Sequence, residues 1–176
     1  MLSGVSRASN PKRGRGMTDK PKKQYDIAAI MNENINVMRD VVPWANETRF
    51  RVTRVEKGHV WGVQPWAEPL VGDPETGVIH GGVITTFLDN LSGMACTAAM
   101  TEMRFVATID LRIDYMRPAE KGRDIIGEAE CYHLTRTVCF TRAWAYHESR
   151  DKLIAASQGT FAINKPRLGE RRSKTE

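Results

Sequence analysis

A lone carboxylate stands inside a long apolar stretch of this 176-residue sequence. Between Gly81 and Met100, Asp89 is the only charged residue, and a helix that is apolar on almost every side is usually buried in a core. Burying a carboxylate is costly unless the group is paired or neutralised, so we expect Asp89 to have a chemical role. Desolvation should raise the pKa of its carboxyl group, which suits a general base. The alternative is a buried acid that only ties the helix to its neighbours by hydrogen bonds.

Two glycines, Gly81 and Gly82, stand where this helix should begin, directly after His80. The first N–H groups of a helix have no partner within it, and the helix dipole favours negative charge there. Because glycine has no side chain, a ligand could approach these N–H groups closely. The pattern therefore predicts an oxyanion-binding helix terminus. Alternatively, the two glycines only allow the helix to pack closely on the sheet. For His80, two roles are open: it contacts the ligand, or it only forms hydrogen bonds with the backbone.

The periodicity of apolar residues predicts the elements that position these groups. Helical spacing is expected over residues 25–39, with Pro43 ending that helix, and again over 82–100. Residues 65–78, which contain several Gly and Pro, are predicted as a loop. Alternation of apolar and polar residues predicts strands over 50–57, 59–64, 106–116, 124–134, 138–147 and 153–163. We therefore expect an α+β fold in which one antiparallel sheet curls around one long central helix.

Charge is distributed unevenly along the chain. The formal net charge is +5, but residues 1–24 hold seven basic residues and one acid, and residues 165–176 hold five basic residues and two acids. Residues 25–164 are therefore net acidic, so the basic isoelectric point is weak evidence for nucleic-acid binding. We expect one folded domain over 25–164, a disordered basic tail at 1–24 and a basic tail at 165–176. A start of translation at Met17 would remove most of the first tail.

Cysteine usage and hydropathy narrow the class of protein. Cys96, Cys131 and Cys139 lie in apolar or alternating surroundings, and neither they nor the four histidines show a recognisable metal-ligand spacing. We expect reduced packing cysteines and no metal. No apolar run is long and plain enough to predict a membrane span, so we expect a cytoplasmic protein.

One combination of motifs is similar to a known family. His80-Gly81-Gly82 is followed by Asp89, and the next predicted strand closes with the sequence Tyr-Met-Arg-Pro-Ala at 115–119. This combination resembles the hotdog-fold acyl-CoA thioesterases, especially the phenylacetate-degradation (PaaI) type, over roughly residues 49–164. The resemblance implies a hotdog fold, a homodimer or a dimer of dimers, and an active site at the interface between subunits.

The same resemblance implies roles for individual residues. Asp89 matches the carboxylate that acts as general base or nucleophile on the thioester carbonyl, and the N–H of Gly81 or Gly82 matches the oxyanion donor. His80 matches the histidine that holds the loop and positions the thioester. Thr108 falls where some relatives place a Ser or Thr that orients the nucleophile or water from the partner subunit. Because Thr108 lies opposite the apolar face in simple alternation, that role needs a bulge or a site on the other face.

Two further parts of the implied site differ from the family pattern or have an ordinary alternative. Several relatives have Asn or Gln six residues before the histidine, where this chain has Pro74, and the neighbouring Asp73 could serve after a one-residue shift of the loop. Arg117, Lys121 and Arg123 surround the turn after the motif. They either form a solvated turn or meet the phosphates of coenzyme A.

The expected function is hydrolysis of an acyl-CoA, or a related acyl thioester, to a free acid and a thiol. Coenzyme A is then part of the substrate, and no cofactor is required. A non-catalytic hotdog protein that binds an acyl thioester is the main alternative, although such a binder needs no carboxylate beside the carbonyl. A hotdog dehydratase would want a histidine shortly after Asp89 on the helix, which the sequence lacks. A structural protein that binds polyanions through its tails is the third alternative.

Overall fold

The computed structural model describes residues 25–35 and 43–164. The helices with defined bounds in these ranges are α1 (Ile27–Glu33), α2 (Pro43–Thr48) and α3 (Gly81–Ala99). The strands are β1 (Arg51–Glu56), β2 (His59–Gln64), β3 (Val71–Asp73), β4 (Val78–Ile79), β5 (Val106–Tyr115), β6 (Ile125–Leu134), β7 (Val138–Tyr146) and β8 (Leu153–Ile163). A short 3-10 turn covers Glu68–Leu70, inside the segment predicted as a loop.

Six strands form one antiparallel sheet in the order β1–β2–β6–β7–β8–β5, while β3 pairs with β4 separately. Helix α3 contacts every strand of the larger sheet. Its buried side chains, among them Phe87, Leu88 and Leu91, are the centre of the hydrophobic core. The predicted α+β class, an antiparallel sheet around one long central helix, is confirmed.

Two glycines on neighbouring strands allow α3 to lie close to the sheet. Gly62 on β2 pairs directly with Gly127 on β6. A Cβ atom at Gly127 would lie 2.4 Å from Phe87 and 2.5 Å from Leu91, which is too close for any side chain. Because these two glycines have no side chains, they leave room for the middle of the helix and set its distance from the sheet.

Strand β5 lies at one edge of the sheet and contains a β-bulge. Its register with β8 shifts between Thr108 and Asp110, which leaves Ile109 as the extra residue. An extra residue reverses the alternation of faces beyond it. Thr108 therefore shares the helix-facing side with Ile113, which packs against the core, although simple alternation would put the two on opposite faces.

The long elements agree with the sequence-based prediction to within one residue at each end, but the N-terminal part differs. The first helix, predicted to be ended by Pro43, instead ends as α1 at Glu33, and Pro43 is the first residue of α2. Proline is favoured at that position, since its fixed φ suits a helix and the first N–H has no helical partner. The end of the predicted first helix, residues 36–39, and both basic tails lie outside the described residues.

Within the described ranges, no helix is both long enough and apolar enough to cross a membrane.

Candidate active site

Asp89 lies two turns into α3 and is bonded to a side chain from β5. The Thr108 hydroxyl donates a hydrogen bond of 2.8 Å to Asp89 Oδ1. Burial raises the pKa of the Asp89 carboxyl group, and the hydrogen bond from Thr108 opposes this rise. The direction agrees with the expectation from the sequence, although Asp89 is half-buried rather than enclosed. Desolvation without full enclosure leaves the carboxylate accessible to a reactant.

The bulge in β5 explains how Thr108 reaches this carboxylate. Any role of Thr108 was expected to need either a bulge or a site on the other face, and the bulge begins at this residue. The contact differs from the expectation in one respect. The Thr108 hydroxyl bonds to Asp89 of its own chain, so the two residues act as a unit on one subunit.

His80 caps the N-terminus of α3. Its Nδ1 accepts a hydrogen bond of 2.9 Å from the Gly82 N–H, and its carbonyl accepts one of 3.0 Å from the Val83 N–H. Its own N–H donates to Leu70 over 2.9 Å, which ties the preceding loop to the helix. For the Gly81 N–H, in contrast, no hydrogen bond is found within the described part of the chain. The structure thus leaves Gly81, rather than Gly82, with a donor available to a ligand.

Two residues that sequence reasoning missed fix the position of Gly81. The Tyr115 hydroxyl donates to the Gly81 carbonyl over 2.8 Å and lies 2.7 Å from the Thr85 hydroxyl, which also bonds to that carbonyl. A Cβ atom at Gly81 would lie 3.3 Å from the Tyr115 hydroxyl. Tyr115 opens the Tyr-Met-Arg-Pro-Ala motif, so the signal was present, but its contact 34 residues back along the chain was not readable from the sequence.

The Gly81 N–H and the Asp89 carboxylate lie at separate points along α3. Asp89 follows Gly81 by eight positions, and at about 1.5 Å per residue this spacing corresponds to about 12 Å along the helix axis. A carbonyl group that accepts a hydrogen bond from the Gly81 N–H cannot also present its carbon to Asp89 of the same chain. The Gly81 N–H and the Asp89 carboxylate are therefore two separate candidate sites within one chain.

A cleft of about 410 Å³ opens beside Asp89, within the size range of small-molecule sites. It extends along the polar and small residues of α3, from Asp89 and Asn90 to Thr97. Apolar side chains from α1, the segment before β5 and the core form most of the remaining wall: Ile30, Met31, Met94, Met103, Phe105, Val106 and Phe161. The arrangement places the half-buried carboxylate of Asp89 at one end of a mostly apolar cleft.

Asp73 is bonded within the turn between β3 and β4. Its carboxylate accepts hydrogen bonds from the Thr76 hydroxyl at 2.6 Å and the Glu75 N–H at 3.0 Å. These bonds, that from Thr76 above all, lower the pKa of the Asp73 carboxyl group. The Asp73 carboxylate thus stabilises its own turn. The geometry gives no support to the suggestion that Asp73 replaces the Asn or Gln that several relatives have before the histidine.

The three basic residues after the motif have different surroundings. Arg123 is paired with Glu120 and Glu148, each at 2.6 Å, so its charge is already compensated. Arg117 donates to a main-chain carbonyl of β8 over 3.3 Å, and the stem of Lys121 packs over the β3–β4 turn. For Arg123 the solvated-turn alternative fits the geometry, while Arg117 and Lys121 are exposed cations.

Neither Asp89 nor His80 belongs to a group of potential metal ligands among the described residues. The three cysteines that the sequence analysis treated as packing residues do converge, two turns further along α3 and on the adjacent β6–β7 hairpin.

Comparison with known proteins agrees with this fold. A sequence profile described as the thioesterase superfamily matches residues 76–154. Human acyl-coenzyme A thioesterase 13 is 34% identical over 84 residues, which are 48% of this chain and 59% of that protein. The match thus covers less than two thirds of this curated relative.

Solved structures extend the likeness over most of the fold. A Pseudomonas aeruginosa protein of known structure is 33% identical, with a TM-score of 0.68 over 75% of this chain and 98% of that one. The PaaI protein of the Escherichia coli phenylacetic acid degradation operon is only 14% identical but has a TM-score of 0.69, over 79% of this chain and 96% of its own. At that identity the likeness to PaaI concerns the fold. Residues 76–154 thus match the thioesterase superfamily, and the described fold is the hotdog fold of that superfamily's solved structures.

Proposed function

We propose that this protein is an acyl-CoA thioesterase, which hydrolyses an acyl-CoA to a free acid and coenzyme A. The observation that carries the proposal is Asp89, a half-buried carboxylate with a raised pKa and a hydroxyl partner, at the end of an apolar cleft. A general base works best when its pKa approaches the operating pH. The activity printed in the name of the human relative supports the same reaction.

The cleft supports an apolar acyl group as the part of the substrate that lies beyond the carbonyl. From Asp89 to Thr97 it follows α3 for about 12 Å, between the three methionines and two phenylalanines of its wall. Methionine-lined walls adapt to flexible apolar ligands. The coenzyme A part would then extend outwards, where Arg117 and Lys121 are cations that could meet its phosphates.

A second copy of the chain completes the site in this proposal. The separation of Gly81 from Asp89 requires that the oxyanion donor and the base on one substrate come from different chains. Strand β5 supports such an assembly because it is an edge strand with apolar side chains exposed along it and just before it: Phe105 is 72% exposed and Ile109 is 60% exposed. Unpaired edges of this kind favour pairing with another strand. We therefore propose a homodimer, or a dimer of dimers.

The chemistry assigned to these groups is addition followed by elimination. The thioester oxygen accepts a hydrogen bond from the Gly81 N–H of one chain, which stabilises the negative charge of the tetrahedral intermediate. Asp89 of the other chain either removes a proton from the attacking water or attacks the carbonyl carbon itself. In the second route, water then hydrolyses the acyl-aspartate anhydride. Both routes consume one water and release the acid and the thiol, and both leave His80 as the cap that orients the helix entrance.

The test is a thiol-release assay with short, long and aromatic acyl-CoAs, comparing the wild type with Asp89→Asn. The variant keeps the shape of the side chain and can still accept from Thr108, but it cannot act as a base. We expect a loss of ~10²–10⁴-fold in kcat. A folded Asp89→Asn protein that turns over near the wild-type rate would contradict the mechanism.

Stability at neutral pH provides the folding control for this variant. Burial raises the pKa of Asp89 in the folded chain, so the ionised carboxylate is less favourable there than in the unfolded chain. The stabilising effect of such a group is present at low pH and is lost as the pH rises through the folded-state pKa. Asp89→Asn should therefore unfold at the wild-type temperature or above it at neutral pH.

Thiol release, measured beside the binding of a non-hydrolysable acyl-CoA analogue, separates the enzyme from a non-catalytic binder of acyl thioesters. A binder would bind a non-hydrolysable acyl-CoA analogue without releasing thiol from any acyl-CoA, and Asp89→Asn would leave that binding unchanged.

A further inference from the structure

Three cysteine side chains from three separate elements meet at one point of the core. Cys96 comes from α3, Cys131 from β6 and Cys139 from β7, and their Sγ atoms all lie within 4.8 Å of one another. Cys96 and Cys139 are fully buried, while Cys131 is half-buried. The sequence gives no metal-ligand spacing, because the residues are 35 and eight positions apart and are brought together by the packing of α3 on the β6–β7 hairpin.

The distances fit a single ion held by three sulfurs. A metal ion bound at about 2.3 Å from each thiolate holds the sulfur atoms about 4 Å apart, so the observed cluster needs small movements to close on an ion. The Cys131 thiol now donates a long hydrogen bond of 3.6 Å to the His133 carbonyl. Loss of its proton on metal binding would remove one weak bond.

The donor set indicates the kind of ion. Soft thiolate ligands select Cu⁺ and Zn²⁺ over harder ions. Structural zinc is almost always four-coordinate, but among the described residues no histidine or carboxylate joins the three sulfurs. The surroundings are apolar, with Met100 and Phe161 packed against the cysteines. Three sulfurs in a mostly buried, apolar site suit Cu⁺, a d¹⁰ ion that is stable with three ligands.

We propose that Cys96, Cys131 and Cys139 form a binding site for a thiophilic metal ion, with Cu⁺ as the favoured occupant. The thiols bind as thiolates, and their protons pass to the solvent. The bound ion fastens the C-terminal half of α3 to the β6–β7 hairpin, and it stabilises the folded chain because the unfolded chain does not hold the three sulfurs together.

The test is an anaerobic titration of the reduced, metal-free full chain with Cu⁺ in the presence of a chromogenic Cu⁺ chelator. We expect one Cu⁺ per chain, ultraviolet charge-transfer absorption from sulfur to copper, and a higher unfolding temperature. Cys131→Ser, at the most exposed position of the three, should lose at least the ~10–100-fold in affinity that follows loss of a ligand's hydrogen-bond partner. Met100→Leu keeps all three thiols in the same packing and should bind as the wild type does.

Two results would overturn the site: no stoichiometric binding to the wild type, or unchanged binding to Cys131→Ser. A preference for Zn²⁺ over Cu⁺ in direct competition would overturn its assignment to Cu⁺. Because the readouts are absorption and unfolding temperature, they are independent of thioesterase turnover. If Cys131→Ser does not fold, Cys131→Ala takes its place, since alanine adds no polar group to the core.

Discussion

At the scale of single residues, the chemistry depends on the balance of two effects on Asp89. Burial raises its pKa, and the hydrogen bond from Thr108 lowers it. The first effect makes the carboxylate a better base, and the second keeps it ionised and fixes its orientation. Thr108 is a positioning residue in this account, because it acts through Asp89.

Thr108→Val removes that hydrogen bond without changing the size of the side chain. The pKa of Asp89 should rise further, because the effect that lowers it is lost while the burial remains. Since the ionised form is required, activity falls as the pH falls through this pKa, so the acid limb of the kcat/KM profile should move to higher pH. Thr108→Ser, which keeps the hydroxyl, is the control. An acid limb at the same pH in wild type and Thr108→Val would show that the bond does not act on the base.

The N–H of Gly81 can be tested by itself, because the chain tolerates proline there. Gly81 is the first residue of α3, where proline is favoured. His80 before it has φ −60° and ψ 134°, which a following proline accepts. Gly81→Pro removes the N–H, whereas Gly81→Ala keeps it with a similar Cβ contact to Tyr115. We expect ~10²–10³-fold lower kcat for Gly81→Pro than for Gly81→Ala. Equal rates for the two variants would exclude this donor.

At the scale of elements, the two flanks of α3 have different roles, one in the core and one in the candidate site. One flank packs on the sheet through large apolar residues, while the other, which includes Asp89, Asn90, Gly93 and Thr97, lines the cleft. The sequence suggested burial on almost every side because the cleft flank consists of small or uncharged residues. Apart from Asp89, the residues named on that flank are uncharged, which suits an apolar ligand.

Gly93 tests whether this cleft holds the acyl chain. A Cβ atom there would make ordinary contacts of 3.5 Å with Val106 and 3.7 Å with Phe161, so alanine fits. Gly93→Leu should fill the cleft about 6 Å further along α3 than Asp89. We expect kcat/KM for long-chain acyl-CoAs to fall by ~10-fold or more, while short-chain substrates are spared and Gly93→Ala changes little. A uniform loss across chain lengths would contradict the assignment of the cleft.

The helices and strands on one side, and the contacts of the candidate site residues on the other, differed in how far the sequence could predict them. The strands and α3 were predictable because their alternating or helical patterns are long, and Asp89 and His80 were found because they stand out from apolar neighbours. The bulge at Ile109 was not predictable, because the apolar residues alternate without a break through it, from Ala107 to Tyr115. The return of Tyr115 to Gly81 and the meeting of the three cysteines were also hidden, because both depend on tertiary packing.

At the scale of the whole molecule, we propose that two chains build each active site. One chain supplies Asp89 with Thr108, and the other supplies the entrance of α3 with the Gly81 N–H. The claim follows from the spacing of these groups along one helix and from the exposed apolar edge at β5. In a symmetric dimer the two sites are equivalent, and each draws on both chains.

The most direct measurement of this claim is complementation between two inactive variants. Asp89→Asn and Gly81→Pro are co-expressed with different tags, and thiol release is compared with that of each variant alone. In a mixed dimer, one site carries both substitutions and the other carries neither. Random pairing makes about half of the dimers mixed, so about a quarter of wild-type activity should return. If each site lay within one chain, the mixture would remain as inactive as the separate variants, and the account would be contradicted.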